Sequence, residues 1–107
     1  MDAQNGRPSV LVVDDETGIL DTLRILLRNE GFDPHVAHGG KKALEDLPGL
    51  NPDIVLTDIR MPNVGGVEVL AVAREHDPDV PVILMTAQAT LQSAMQAVDA
   101  GAFYYIQ

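Results

Sequence analysis

Val10-Leu11-Val12-Val13-Asp14-Asp15 sets four aliphatic residues in an unbroken row and then stops on two carboxylates. A row without polar alternation predicts a strand covered on both faces, as parallel sheets require. Upstream, Met1 to Ser9, with Asn5-Gly6 and Pro8, read as a short flexible lead, so the folded domain is expected over 10–107. Downstream from Glu16, Ile19, Leu20, Leu23, Leu26 and Leu27 recur at helical spacing, with acidic residues expected in the first turn and Gly31 as a stop.

The same strand-then-helix unit repeats along the chain. Pro34 and the histidines flanking Val36-Ala37 predict a short, polar edge strand, where a missing amide donor is tolerated. A helix over Lys41 to Leu47 is expected to break at Pro48-Gly49, and Ile54-Val55-Leu56 then runs as a second buried strand into Asp58. Val67 to Glu75 predicts the next helix, Val82-Ile83-Leu84-Met85 a third buried strand ending at Thr86. Leu91, Ala94, Met95 and Val98 mark a further helix capped by Gly101, and Phe103 to Ile106 begin a last strand. Alternation of this kind implies an α/β fold, a parallel sheet with helices on both faces.

Composition narrows the function. A length of 107 residues leaves room for one domain, and the 46% hydrophobic and 21% charged shares fit a soluble globular one. No apolar run approaches a membrane span, and the first residues lack the apolar middle of a signal peptide. The chain has no cysteine, which excludes disulfides and thiol catalysis and suits a cytoplasmic location. A formal charge of −9 argues against direct nucleic-acid binding and suits a cation.

Position gives that charge a meaning. In open parallel sheets, ligands bind beyond the carboxyl ends of the strands, where Asp14, Asp15, Asp58 and Thr86 are all expected. Singly, an Asp-Asp pair is more often a solvated turn, and a strand-end Thr a local hydrogen-bond donor; the convergence is what carries weight. Unit charges about 4 Å apart repel by roughly 4 kcal/mol at an effective dielectric near 20, so three carboxylates together call for a cation. A hard ion with oxygen ligands, Mg²⁺, fits such donors, whereas zinc would want cysteine or paired histidines. His35, His38 and His76 are expected at the surface. Asp58 is then a candidate nucleophile toward phosphorus, a transfer that depends on positioning and charge neutralisation.

Four segments in order, Val12-Val13-Asp14-Asp15-Glu16, Asp58-Ile59-Arg60-Met61-Pro62 with Gly66, Met85-Thr86-Ala87 and Gly101-Ala102-Phe103-Tyr104-Tyr105, resemble the receiver domains of two-component response regulators. The resemblance covers nearly the whole chain. It implies a flavodoxin-like three-layer αβα sandwich with a five-stranded parallel sheet in the order 2-1-3-4-5. By position it implies Asp14, Asp15 and Asp58 as Mg²⁺ ligands with the backbone carbonyl of Arg60, and Asp58 as phosphoacceptor from a sensor histidine kinase. Thr86 resembles the switch hydroxyl, Ala87 the small residue that keeps the approach open, and Tyr105 the switch aromatic. The residues from Leu84 to Ile106 resemble nitrogen-regulator-type activators, implying output domains that act on transcription beyond this segment.

The resemblance also implies departures. The family's Lys would follow Gln107, and its final helix is missing here, so the chain reads as C-terminally truncated; either residues beyond 107 or a homodimer would cover the open face. Gly65 stands where a polar cap residue is usual, which predicts a weaker helix start. Three other readings stay open: a metal-dependent aspartyl phosphatase, though that pattern separates its two acids; a dinucleotide-binding module, though no glycine-rich turn follows the first strand; and a docking module that works without phosphorylation. On the preferred reading the domain is a phosphoacceptor that catalyses only its own phosphorylation and dephosphorylation.

Overall fold

A computed structural model of the chain describes residues 6–85 and 104–106. The elements follow in the order β1 (Ser9–Asp14), α1 (Thr17–Asn29), β2 (Asp33–His38), α2 (Gly40–Leu50), β3 (Ile54–Asp58), α3 (Gly66–His76), β4 (Val82–Met85) and β5 (Tyr104–Ile106). All pairings are parallel, and the strands lie in the order β2-β1-β3-β4-β5. The expected α/β architecture is therefore present, with β2 at an edge. Thr86, Ala87, the expected helix over Leu91 to Val98 and its Gly101 cap lie outside the described residues, as does the side chain of Tyr105.

The buried run reads as expected: Val10 to Val13 are at most 2% exposed. Side-chain alternation divides them between two cores. Leu11 and Val13 pack with Val55 and Leu84 against Ala43 and Leu47 of α2 and Val69, Leu70 and Ala73 of α3. Val10 and Val12 pack on the other face against Leu20, with Leu23 and Leu27 of α1 around them. The sheet is thus covered on both faces. That arrangement is what crossovers of one hand produce when the chain first steps from β1 to β2 and then back across β1 to β3.

Element ends depart from expectation in three places. The first turn of α1 holds no acidic residue, because the helix begins at Thr17 and Glu16 stays extended as its N-cap without a side-chain bond. Its far end is as expected: Gly31, at φ +94°, lets Phe32 N–H reach Leu27 carbonyl at 3.0 Å and Gly31 N–H reach Arg28 at 3.2 Å, a Schellman closure. Helix α2 does not break at Pro48 but runs to Leu50 and ends on Asn51, which takes the left-handed conformation. Proline removes one donor near the helix end, and burial of Leu47 with Leu50 packed on the same core outweighs that loss. Ser9, placed in the lead by the sequence, is the first residue of β1. Its N–H donates to Asp53 Oδ2 at 2.8 Å, and its hydroxyl accepts from the Asp53 amide at 3.0 Å.

Candidate functional site

Register brings the acids together. β1 pairs with β3 so that Val13 faces Thr57, and one step further along both strands end on Asp14 and Asp58. β3 pairs with β4 so that Asp58 faces Met85, immediately before Thr86. One carboxylate oxygen from each of Asp14, Asp15 and Asp58 lies within 4.8 Å of the others. Asp14 is 3% exposed, Asp58 half-buried and Asp15 open to solvent, so the cluster is a cup with one wet side.

The surrounding backbone sets the electrostatics. Burial pushes the Asp14 carboxyl up from its usual value, the Glu16 N–H, donating to Oδ1 at 3.0 Å, pulls it back, and Asp58 raises it further; the net direction is upward. Asp58 is likewise raised, by burial first, against the Arg60 N–H that donates to Oδ1 at 3.4 Å, and with the Asp15 charge adding to the rise. Burial first, and neighbours of their own sign after it, thus favour the neutral form of both carboxyls, a bias that a cation relieves. All three donors are carboxylate oxygens, the set a hard divalent ion takes. The donor chemistry fits Mg²⁺.

The loop after Asp58 is held closely. Ile59 N–H donates to the Met85 carbonyl at 2.9 Å, Gly66 N–H to the Ile59 carbonyl at 2.8 Å, and Val64 N–H to Pro62 at 2.8 Å. Asn63 accommodates the bend at φ +69°. Gly65 donates its N–H to Glu68 Oε1 at 3.3 Å, half of a capping box, and having no side chain it returns no bond, as its sequence position predicted. Sequence reasoning brought Asp14, Asp15 and Asp58 to one place and put Arg60 beside them. It assigned no role to the Glu16 amide, nor to Gly39, whose N–H donates to the Asp14 carbonyl at 2.9 Å. The paired glycines after β2 were the available signal.

His35 is exposed on β2, with Nε2 3.3 Å from Asp46 Oδ2, and His76 ends α3. Neither belongs to the acidic cluster.

Residues 10–107 match the response regulator receiver domain, and the chain belongs to that family. It is 41% identical over 97 residues to the regulatory protein AtoC of Escherichia coli, covering 91% of this chain and 21% of that protein. It is 38% identical over 100 residues to the DNA-binding response regulator MtrA of Mycobacterium tuberculosis, covering 94% of this chain and 43% of that protein. The chain therefore spans less than half the length of these relatives. Among solved structures, a CheY-like receiver domain from Methanospirillum hungatei superposes with a TM-score of 0.89 at 31% identity, covering 94% of this chain and 81% of that one. The response regulator TrrA of Thermotoga maritima, solved in complex with Mg²⁺ and BeF, gives 0.83 at 35% identity, with 92% and 84% covered. A receiver domain of a two-component response regulator is what the fold and this membership define, and the phosphatase and dinucleotide readings fall away.

Proposed function

We propose that Asp58 accepts a phosphoryl group from a sensor histidine kinase at a Mg²⁺ site formed by Asp14, Asp15 and Asp58 with the backbone carbonyl of Arg60. The observation that carries this reading is the meeting of three carboxylates within 4.8 Å at adjacent strand ends. An Asp58 carboxylate oxygen attacks phosphorus, the phosphorus–nitrogen bond of the phosphohistidine breaks, and the departing imidazole keeps the electron pair and is protonated. Bound Mg²⁺ would supply charge neutralisation for the acids and for the incoming phosphoryl oxygens. Asp14, anchored by the Glu16 amide, and the Asp58 loop, anchored on Met85, hold their oxygens in place before the donor arrives. The binding of Mg²⁺ and BeF by the Thermotoga relative supports the same ligand chemistry here.

Beyond the transfer, the reading assigns Thr86 the switch hydroxyl, Ala87 the open approach and Tyr105 the switch aromatic, in a sheet of order 2-1-3-4-5. The DNA-binding relatives support an output domain outside this segment that acts on transcription; a cytoplasmic location and a homodimer belong to the same reading. Among the described residues no helix is long and apolar enough to cross a membrane. The deciding experiment is intact-mass analysis after acetyl phosphate and Mg²⁺: one hydroxylamine-labile phosphoryl group is expected on the natural chain and none on Asp58→Asn. Equal labelling of Asp58→Asn would sink the assignment.

A further inference from the structure

Gly39 and Gly40, which join β2 to α2, meet the Asp14 strand end on one side and the loop that follows Asp58 on the other. Gly39 donates its N–H to the carbonyl of Asp14 at 2.9 Å and holds φ +98°, a conformation that side chains resist. Gly40 is buried, and a β-carbon there would overlap the Val64 carbonyl oxygen and press on Val64 Cγ1. Val64 in turn belongs to the loop that leaves Asp58 and is closed by the Gly66 to Ile59 hydrogen bond. The turn therefore bonds to one acid-bearing strand end and supports the loop that follows the other.

We propose that the Gly39-Gly40 turn is a positioning element, setting the distance between Asp14 and the Asp58 loop and thereby the divalent-cation affinity of the acidic cluster. It rests on the reading of that cluster as a Mg²⁺ site. Loops carry functional groups but move more than the elements they join, so a loop that presents ligands needs support. Mg²⁺ demands near-octahedral geometry at about 2.1 Å, which makes it sensitive to small displacements of its ligands. Backbone packed on backbone, with no side chain between, gives the stiffest support available. Residues behind a first coordination shell typically change metal affinity by about ten-fold or more.

Calorimetric titration of the intact protein with MgCl₂ tests this, beside thermal melting. Gly40→Ala is expected to weaken Mg²⁺ binding on the order of ten-fold while still melting cooperatively. Gly49→Ala, on the same helix with open space around it, is expected to keep the natural affinity. A lower melting temperature with unchanged affinity in Gly40→Ala would mean a merely structural contact and overturn the proposal, as would equal weakening in Gly49→Ala. If Gly40→Ala does not fold, Gly39→Ala, which strains the φ +98° turn, decides: weaker Mg²⁺ binding supports the positioning role and unchanged binding overturns it. Asp15→Asn separates the two levels. Undiminished Mg²⁺ binding by that variant defeats the site reading and this inference with it, whereas lost binding there beside unchanged binding in Gly40→Ala defeats only the inference.

Discussion

Gly66 stands against the backbone of Asp58 with no room for a side chain between them: a β-carbon on Gly66 would overlap the Asp58 carbonyl oxygen. The first residue of α3 thus seats directly on the strand end that presents the candidate nucleophile. Gly66→Ala forces one of them to move, and overpacking of this kind typically costs about 1–3 kcal/mol. Urea unfolding measures it, and a variant as stable as the natural protein would show that the backbone gives way freely.

A pH dependence follows from the raised Asp14 and Asp58 carboxyls. A carboxyl raised in the fold contributes stability that is full below its unfolded value and is lost as pH rises through the folded value. At neutral pH without divalent ions, both groups therefore weigh against the fold. Asp58→Asn removes one of them, so it should melt higher than the natural protein at neutral pH, with the gap closing as pH falls below the ordinary carboxylate range. A gap that does not change with pH would refute this cause.

Divalent ions should reverse that order. A ligand that binds only the folded state raises stability by mass action, about 2.7 kcal/mol at a hundred times its dissociation constant. Mg²⁺ should raise the melting temperature of the natural chain and leave Asp15→Asn nearly unmoved, and an equal rise in both would place the ion elsewhere.

Ser9 and Asp53 pin the start of β1 to the start of β3 through the two bonds already described and a third, Ser9 Oγ to Asp53 Oδ2 at 3.2 Å. Asp53→Ala should cost about 1.5–3 kcal/mol, the range for hydrogen bonds to a charged group. In a double-mutant cycle with Ser9→Ala the two losses should fail to add, and strict additivity would indicate that the pair is not coupled.

Leu70, fully buried between α3 and the sheet, sets the scale for core loss. Leu70→Ala should cost about 2–5 kcal/mol by denaturant unfolding, and a loss under about 1 kcal/mol would mean that the site collapses around the smaller side chain.

The sequence by itself determined the elements and the identity of the acids. Val10 to Val13, Ile54 to Leu56 and Val82 to Met85 are legible because strands buried on both faces need apolar residues without alternation, and such runs are rare enough to locate. Asp14, Asp15 and Asp58 were legible for a related reason: each follows one of those runs, and a parallel sheet gathers all such endings at one edge. Helix ends were harder. The continuation of α2 through Pro48 goes with packing of Leu47 and Leu50, and the placement of Glu16 outside α1 with its N–H bond to the Asp14 carboxylate, neither of which helix propensity contains.

Tertiary structure alone decided how the acids meet. The Val13 and Thr57 register sets Asp14 beside Asp58, and a slip of one residue would turn one carboxylate to the other face; no single strand carries that information. The same holds for the glycines. Gly40 and Gly66 look like ordinary turn residues until the backbones of Val64 and Asp58 are seen against them, because a close approach belongs to two segments distant in the chain. Chemistry written in residue types can be read along the sequence, but the distances that make the chemistry possible arise only where separate strands and loops are packed together.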